Sequence, residues 1–283
     1  MVISVASGKG GTGKTTIATN LAVCLGPHVQ VLDCDVEEPN AHLFIQPDIE
    51  AVRIISTPVP EVDVEKCTYC GKCAEICQFK AIAVINTTVL TFPELCHGCG
   101  GCVQVCPEKA ITETGRELGV IEKGHKNGLE FIHGRLRIGE AMSPPLINKV
   151  REYTQAGMLT IIDAPPGTSC PVIAAMKGAD FVLLVTEPTP FGLNDLKLAV
   201  GAVKILGIPC GLVINRSDIG DDGVKAYAEK EDVPVLMEIP FDRRVAEAYS
   251  RGEMMVAVMP EWKEKFIELY HCIEIIAGGK GKI

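Results

Sequence analysis

Aromatic residues, basic stretches and long apolar runs are all scarce in this sequence. Aromatic side chains make up 5% of the 283 residues and hydrophobic residues of all kinds 47%, so we expect an aliphatic core. The 27 Lys and Arg residues are outnumbered by 36 Asp and Glu, and a net charge of −9 without a long basic run disfavours nucleic-acid binding. No apolar run reaches the roughly 18 residues that span a bilayer. No secretory signal is recognisable, and we therefore expect a cytoplasmic protein without a membrane span.

Cysteine, by contrast, is abundant, with 13 residues. Because no secretory signal is seen, we do not expect a disulfide framework. Eight cysteines fall into two runs of equal spacing. The other five are scattered, and we expect most of them to be buried free thiols. These five are Cys24, Cys34, Cys170, Cys210 and Cys272.

A glycine-rich loop at residues 7–16 is the feature around which the chain is organised. It fits the phosphate-loop pattern G-x-x-x-x-G-K-S/T, with an apolar strand before it and a helical pattern after it. This context aims a nest of backbone N–H groups at an anion. We expect Lys14 to reach the β- and γ-phosphates and the Thr15 hydroxyl to hold Mg²⁺. The predicted nucleotide-binding residues of the loop are Gly8, Lys9, Gly10, Gly11, Thr12, Gly13, Lys14, Thr15 and Thr16.

Two later apolar segments end in acidic residues. Residues 29–33 end at Asp33, with Asp35 two residues on, and residues 159–163 end at Asp163. Carboxylates at the carboxyl ends of parallel strands lie beside the phosphate crevice. An apolar strand that ends in aspartate is Walker B-like, and we predict that Asp163 binds Mg²⁺ through a water.

The two cysteine runs share one pattern, C-x-x-C-x-x-C-x-x-x-C, about 29 residues apart. This is the spacing of bacterial two-cluster ferredoxins, in which three cysteines of each run hold one cluster and the fourth ligates the other. We therefore assign one 4Fe–4S cluster to Cys67, Cys70, Cys73 and Cys106. We assign the second to Cys96, Cys99, Cys102 and Cys77.

Zinc is the alternative occupant of the cysteine runs, although zinc sites generally use paired C-x-x-C knuckles. Gln78 stands where the first run would normally carry proline, which leaves the ligands intact but affects the expected turn at Cys77. The cysteine runs interrupt the α/β rhythm of the chain. We predict an inserted ferredoxin-like domain at residues 60–115 and a discontinuous ATPase domain at residues 1–59 and 116–283.

A second lysine inside the glycine-rich loop, Lys9, gives K-G-G-T-G-K-T. This resembles the deviant Walker A family of MinD, ParA, the nitrogenase iron protein and the Mrp-type iron–sulfur carriers. In that family the early lysine reaches across a nucleotide-sandwich dimer to the partner's phosphates. The resemblance implies a nucleotide-dependent homodimer, or a heterodimer with a related chain, and a catalytic set of Lys9, Lys14 and Asp35. Asp35 would orient the attacking water, and Asp33 would serve the Mg²⁺ shell or the geometry of the first switch.

Three further segments carry the same resemblance. D-x-P-P-G at residues 163–167 resembles the second switch of the Mrp branch, and Gly167 could bring its N–H to the γ-phosphate. Asn215 and Arg216, at a predicted strand end, resemble the V-N-R segment whose Asn hydrogen-bonds adenine. Pro240 and Asp242 resemble the I-P-x-D loop that flanks the base.

Two peripheral segments also carry expectations. Alternation at residues 118–139 suggests a hairpin joined near Asn127 and Gly128, with His125 and His133 solvated. Residues 261–276 place apolar side chains on one helical face. Acidic residues balance the lysines on the other face, so we expect this helix to pack on the sheet and not on a membrane.

Alternating strands and helices predict a doubly wound, mostly parallel α/β sheet, with an α+β ferredoxin-like insertion. The family resemblance covers nearly the whole chain and implies an ATPase that uses ATP, Mg²⁺ and two 4Fe–4S clusters. Two functions remain open. The chain either couples a nucleotide-driven dimer cycle to electron transfer, or is an ATP-dependent carrier or scaffold in metal-cluster assembly. The sequence does not identify the redox or client partner.

Overall fold

The structure is a computed structural model that describes residues 1–279; residues 280–283, at the end of the predicted ATPase domain, lie outside the described residues. The strands are β1 Val2–Ala6, β2 Val29–Asp33, β3 Asp48–Val62, β4 Ile82–Ile85, β5 Thr88–Thr91, β6 Ile111–Lys126, β7 Leu129–Leu136, β8 Leu159–Asp163, β9 Phe181–Thr186, β10 Cys210–Asn215 and β11 Val235–Ile239. The helices are α1 Lys14–Leu25, α2 Ala41–Ile45, α3 Lys72–Ile76, α4 Gly101–Val105, α5 Pro144–Arg151, α6 Cys170–Met176, α7 Pro190–Leu206, α8 Gly223–Lys230, α9 Arg243–Ser250, α10 Met255–Val258 and α11 Trp262–Ala277, with a 3₁₀ turn at Pro93–Leu95.

Nine strands form one sheet in the order β11-β10-β9-β1-β8-β2-β7-β6-β3. The pairs from β11 to β7 are all parallel, and β6 alone runs antiparallel to its two neighbours. β1 lies between β8 and β9, so the glycine-rich loop leaves the sheet near its middle. The predicted mostly parallel α/β sheet is confirmed.

Both faces of the sheet are covered by apolar packing, which explains why its central strands are apolar throughout. Leu32, Ile162 and Leu184 contribute to the core on one face. The opposite face includes Val31 and Ile161 together with α11, whose Trp262, Phe266, Leu269 and Ile273 are buried there. The prediction that α11 packs on the sheet is confirmed. Among residues 1–279, no helix has the length and apolar character needed to cross a membrane.

The predicted hairpin is formed by β6 and β7. Asn127 and Gly128 join them with φ of 51° and 82°, the left-handed geometry that a two-residue type I′ turn requires. The expectation that His133 is solvated is wrong: it is 3% exposed, with its Nε2 atom 2.6 Å from Glu122 Oε2. The His133 ring packs against the rings of His42 and Phe131, with centroids 5.2 and 5.3 Å away, which encloses it. His125 lies near the open edge and is half-exposed.

The cysteine runs lie in a small unit at the end of a two-stranded stem. β3 and β6 pair from Asp48 opposite His125 to Val62 opposite Ile111, with two irregularities of register, after Ile49 and after Ile55. Between them lie α3, the β4–β5 hairpin, the 3₁₀ turn and α4, around a small core of Cys73, Ile82 and Ile111. The predicted boundaries at residues 60 and 115 fall inside β3 and β6. The two units are therefore joined by continuous strands and not by a linker.

The internal repeat of the sequence is repeated in three dimensions. Ala81 and Ala110 each donate a backbone N–H to the last cysteine of their run, at 3.3 Å in both cases. That cysteine has φ −72° and ψ 103° at Cys77 and φ −73° and ψ 111° at Cys106. Gln78 therefore leaves the turn at Cys77 unchanged, because the N–H to sulfur contact holds the backbone without proline.

The scattered cysteines are less buried than expected. Cys24 and Cys34 are buried, Cys210 is partly buried, and Cys170 and Cys272 are exposed. Cys170 begins α6 and Cys272 lies on the outer face of α11. For these two residues the expected burial is wrong because neighbouring apolar residues, not the cysteines, face the core.

Candidate functional site

The glycine-rich loop has close neighbours on two sides, and its glycines leave room for them. Gly11 and Gly13 have φ of 79° and 96°, a left-handed region that glycine adopts without strain. A Cβ at Gly13 would lie 2.6 Å from Asn215 Nδ2, and one at Gly8 would lie 2.3 Å from the Asp195 carbonyl oxygen. Side chains at these two positions would therefore push the loop away from β10 and α7.

One cleft of about 360 Å³ lies over this loop, within the size range of small-molecule sites. It is lined by these predicted residues: Gly10, Gly11, Gly13, Lys14, Thr15, Thr16, Asp35, Asn215, Arg216, Pro240 and Asp242. Four segments distant in sequence thus meet at the carboxyl edge of the parallel strands. The other predicted residues of the site lie outside this lining: Gly8, Lys9, Thr12, Asp33, Asp163 and Gly167.

An apolar wall of the cleft was not anticipated from the sequence. Phe241, Val245, Tyr249 and Met255 line it, from the loop after β11, from α9 and from α10. These residues belong to ordinary amphipathic segments without a motif. The one available signal was the position of Phe241 inside the I-P-x-D segment. A flat apolar wall beside polar groups suits a nucleotide base.

Three aspartates meet beneath the cleft. Asp33 and Asp163 are paired across β2 and β8, and both are fully buried. Asp33 accepts hydrogen bonds from the backbone N–H of Asp35 at 3.0 Å and of Ala41 at 3.1 Å. It therefore holds the loop after β2 in place, which corresponds to the switch-geometry alternative for this residue.

Asp163 differs from Asp33 in having unused carboxylate oxygens. The Thr15 hydroxyl is near enough to favour the ionised form, yet neither oxygen accepts a hydrogen bond of normal geometry. Buried oxygens without partners are costly, and carboxylate and hydroxyl oxygens are ligands that Mg²⁺ prefers. Asp163 and Thr15 therefore fit a Mg²⁺–nucleotide complex. Among residues 1–279, no group of three or more His, Cys, Asp or Glu side chains is arranged to hold a single metal ion.

Burial raises the pKa of all three aspartates, and repulsion between carboxylates adds to the rise at two of them. Burial is the largest cause in each case, and the charge of Asp163 adds to the rise at Asp33 and Asp35. The pKa of Asp35 rises to about 7, although Lys14 opposes the rise. These carboxyl groups therefore hold protons more readily in the free chain than in water, and a bound cation would favour their ionised form.

The Lys9 side chain forms an ion pair within its own chain. Its Nζ atom is 3.2 Å from Glu187 Oε2, and Arg216 Nη1 is 2.6 Å from Glu187 Oε1. Glu187 directly follows β9 and is 8% exposed. The sequence did not reveal Glu187, because an acid in a Glu-Pro turn carries no motif.

Two predicted ligand-contacting groups already have partners within the chain. Asn215 Nδ2 donates to the Thr12 carbonyl oxygen at 2.9 Å, which ties β10 to the glycine-rich loop. The Gly167 N–H donates to the Ser7 carbonyl oxygen at 3.0 Å. A γ-phosphate contact from Gly167 therefore requires this hydrogen bond to open.

Asp242 has an N-capping role beside its place in the cleft. Its Oδ1 atom accepts from the Arg244 N–H at 2.8 Å at the start of α9. This hydrogen bond fixes the loop that carries Phe241 and Pro240 over the cleft.

Four cysteines from different runs surround one small cavity in the cysteine unit. Its lining includes Cys67, Cys70 and Cys73 from the first run and Cys106 from the second. The Tyr69 N–H points to Cys67 Sγ at 3.4 Å. These four are the residues assigned above to the first cluster, and their convergence fits a ligand set that crosses between the runs.

The second set is also gathered in space. Cys96 and Cys99 lie close enough to Cys102 to add to the rise in its pKa that burial causes. Cys102 and Cys77 both pack against the small core around Ile82. The Gly98 N–H donates to Cys96 Sγ at 3.4 Å, matching Tyr69 in the first run. Soft thiolates with N–H donors to sulfur are the chemistry of an iron–sulfur site.

A sequence model described as the CobQ/CobB/MinD/ParA nucleotide binding domain matches residues 3–256. An uncharacterized protein of Methanocaldococcus jannaschii is 32% identical over 283 residues, which cover 98% of this chain and 96% of that protein. An iron-sulfur cluster carrier protein of Pyrococcus horikoshii is 26% identical over 271 residues, covering 88% and 77%.

Among solved structures, the chain resembles the septum site-determining protein MinD of Pyrococcus horikoshii complexed with Mg-ADP. The TM-score is 0.60 at 23% identity, with 100% of this chain and 99% of that chain covered. At this identity the likeness concerns the fold.

Proposed function

The chain belongs to the CobQ/CobB/MinD/ParA nucleotide-binding family, and from this premise we propose that it hydrolyses ATP to drive electron transfer through two 4Fe–4S clusters. Nucleotide binding belongs to the family, and we assign it to the cleft over the glycine-rich loop. The clusters, the hydrolysis and their coupling are the proposed parts. In this proposal residues 60–115 are an inserted ferredoxin-like domain.

The observation that carries the proposal is the cavity lined by Cys67, Cys70, Cys73 and Cys106. A crossed set of this kind needs both runs folded together, which a chance recurrence of cysteines would not produce. Bound there, a 4Fe–4S cluster supplies a one-electron redox centre. The chain itself supplies the thiolates, the N–H donors to sulfur and the apolar surroundings of Ile82 and Ile111.

The hydrolytic roles follow from position. Lys14 would neutralise the β- and γ-phosphates at the base of the cleft, the Thr15 hydroxyl would hold Mg²⁺, and Asp163 would bind it through a water. Asp35 lines the cleft with a pKa of about 7, so it can orient a water and accept its proton near neutral pH. Asn215, Arg216, Pro240 and Phe241 surround the base.

Lys9 extends the proposal to a dimer. In the free chain its charge is paired with Glu187. In a nucleotide-bound pair of chains it would exchange Glu187 for the partner's phosphates, a stronger anion. ATP would thus promote dimerisation, and hydrolysis would release it.

A carrier of iron–sulfur clusters is the second candidate function. It is favoured by the relative named as an iron-sulfur cluster carrier, at 26% identity. Cys70 and Cys99 are also exposed, so an acceptor could reach one thiolate of each set. In this case the clusters are cargo.

Anaerobic reconstitution tests the proposal directly. We expect about eight irons per chain, from two four-iron clusters. Cys70→Ser should lose iron, whereas Cys170→Ser, an equally exposed cysteine outside the runs, should not. Equal iron in the two variants would exclude the proposed ligand set.

The two functions separate when ATP and an apo-ferredoxin acceptor are added to the loaded chain. Retained iron with a nucleotide-dependent cluster potential supports electron transfer. Iron that moves to the acceptor in step with ATP hydrolysis supports the carrier.

A further inference from the structure

Arg116 on β6 is a buried arginine that is only partly satisfied. Its side chain is 10% exposed and pairs with Glu140, which is 1% exposed. Its Nε and Nη2 atoms are buried without a hydrogen-bond partner. Buried donors in this state are uncommon in proteins and costly, and each requires an explanation.

The stem places the second cysteine set beside this arginine. Arg116 is opposite Thr57 in the β3–β6 ladder. Cys96 Sγ lies 3.9 Å from the Pro58 carbonyl oxygen, and a Cβ at Gly98 would lie 3.0 Å from Thr57 Oγ1. The turn that carries Cys96 therefore rests on the neighbours of Arg116, and the two residues lie within range of each other's charge.

The cations beside the first cysteine set differ from Arg116 because they are exposed to solvent. Lys72 lines its cavity but is exposed to solvent. Lys66 is 65% exposed and pairs with Asp63. Water and salt screen such charges, whereas a buried guanidinium acts through a medium of low dielectric constant.

Glu140 links Arg116 toward the nucleotide cleft. Its Oε1 atom accepts from the Met142 N–H at 3.3 Å, and the next residue, Ser143, donates its hydroxyl to Glu37 Oε1 at 2.8 Å. Glu37 lies two residues after Asp35, and its charge helps to raise the Asp35 pKa. A short run of contacts thus joins the loop after β2 to the second cysteine set.

We propose that Arg116 makes the two clusters unequal: it favours the reduced form of the second cluster and connects that cluster, through Glu140 and Ser143, to the first switch. The inference rests on the function proposed above. Nε and Nη2 are the donors that would face the sulfurs of Cys96 and its cluster.

The direction of the effect follows from charge. One-electron reduction adds one negative charge to a cluster, and a nearby cation stabilises that charge. Hydrogen bonds to the sulfurs act in the same sense. Arg137 lies 3.9 Å from Glu140 and helps to balance it, so the charge of Arg116 is not simply cancelled by its partner.

Substitution of Arg116 in the loaded full-length chain tests the proposal. Single-cluster backgrounds identify the cluster: Cys70→Ala leaves the second set complete, and Cys99→Ala leaves the first. Dithionite titration followed by electron paramagnetic resonance measures each midpoint. In the Cys70→Ala background we expect Arg116→Gln to disfavour reduction about tenfold, a fall of ~59 mV for one electron.

The controls use cations of matched charge. Arg116→Lys should leave the midpoint potential of the second cluster close to that of the unaltered chain, because it keeps the charge. Arg137→Gln removes a half-exposed arginine that shares Glu140, and Lys72→Gln removes a cation beside the first set; both should shift the midpoints much less. No shift in Arg116→Gln, or an equal shift in the Cys99→Ala background, would overturn the assignment. Arg116→Gln and Arg116→Lys can also be compared in the chain with both clusters, should a single-cluster background fail to load.

Ser143→Ala tests the connection to the switch. We expect non-hydrolysable ATP to shift the second midpoint in the unaltered chain and to shift it less in this variant. An undiminished shift would overturn the connecting role. If the proposed function itself is wrong, the unaltered chain will hold no iron or show no reducible cluster. This result is distinct from an unchanged midpoint in the Arg116 variants.

Discussion

Lys14 is 6% exposed at the base of the cleft, which is unusual for a lysine without a carboxylate partner at ion-pair distance. Its neighbours Asp35 and Asp163 are negative when ionised, and each feels its charge. The residue is therefore placed for an anion that enters the cleft, and the glycine-rich loop supplies the matching N–H groups.

Lys14→Ala should abolish ATP hydrolysis, because it removes the charge that neutralises the β- and γ-phosphates in the transition state. Phosphate release at saturating Mg²⁺-ATP measures the effect. Lys177→Ala, at an exposed position after α6, is the matched control and should keep full activity. Comparable rates in the two variants would remove Lys14 from the catalytic set.

Asp35 should make the free chain less stable as pH rises. Its pKa is about 7 in the folded chain and near 3.8 when unfolded, so between these values the folded state holds a proton that the unfolded state has lost. The free energy of unfolding then falls as pH increases through this window, by at most about 1.4 kcal/mol per pH unit. Above pH 7 this contribution is lost and the slope levels off.

Urea unfolding of the nucleotide-free chain from pH 5 to pH 8 measures this slope. Asp35→Asn cannot titrate and should show a shallower slope than the unaltered chain. The remaining slope would come from Asp33 and Asp163, whose pKa values are also raised by burial. Identical slopes would mean that Asp35 is ionised throughout.

At the scale of elements, α3 and α4 are the two copies of one repeat. Each begins after a left-handed glycine, Gly71 or Gly100, and each ends at the fourth cysteine of its run. The two copies face a common core, which brings the end of one run to the start of the other.

Cys106→Ala should therefore damage the cluster of the first run and not that of its own. Its thiol lines the cavity with Cys67, Cys70 and Cys73. Cys77→Ala is the reciprocal variant and should damage the second cluster. Electron paramagnetic resonance of the reduced variants distinguishes the two sites, and the opposite pattern of loss would contradict crossed ligation.

α11 supplies a test of packing on the same scale. Phe266 is fully buried against the sheet, and Ile275 on the same helix is 58% exposed. Phe266→Ala should lower the free energy of unfolding by about 3–5 kcal/mol through lost burial and the cavity left behind. Ile275→Ala should change it by less than ~0.5 kcal/mol. Denaturant unfolding of both variants measures these changes in the free energy of unfolding.

At the scale of the whole molecule, the stem formed by β3 and β6 joins the main sheet, which carries the cleft, to the unit that carries the cysteine runs. β3 runs from the main sheet to the cysteine unit, and β6 returns from that unit to the main sheet. Such a connection transmits rotation of one unit to the other more directly than a flexible linker would. The proposed assembly of two chains also belongs to this scale, and we expect it to depend on Lys9.

ATP with Mg²⁺ should dimerise the chain when hydrolysis is blocked, and Lys9→Ala should remain monomeric under the same conditions. Glu187→Gln releases Lys9 and Arg216 from their pairing and should dimerise at lower ATP concentration. Light scattering after size exclusion measures both. A Lys9→Ala dimer as strong as the unaltered one would exclude the sandwich arrangement.

The sequence by itself determined the parallel sheet, the glycine-rich loop and the repeated spacing of the two cysteine runs. These depend on local patterns: apolar strands of five or six residues, glycines where φ is positive, and cysteines at fixed spacing. Each pattern requires only neighbours along the chain, so a short window contains the physical information.

The tertiary structure alone decided how these parts meet. Glu187 beside Lys9, the apolar wall around Phe241 and Tyr249, and the unsatisfied Arg116 beside Cys96 all join segments far apart in sequence. The burial of His133 was missed for the same reason, because it depends on packing against His42, which lies far earlier in the chain. Burial and unpaired charge are properties of the packed chain, and no local pattern encodes them.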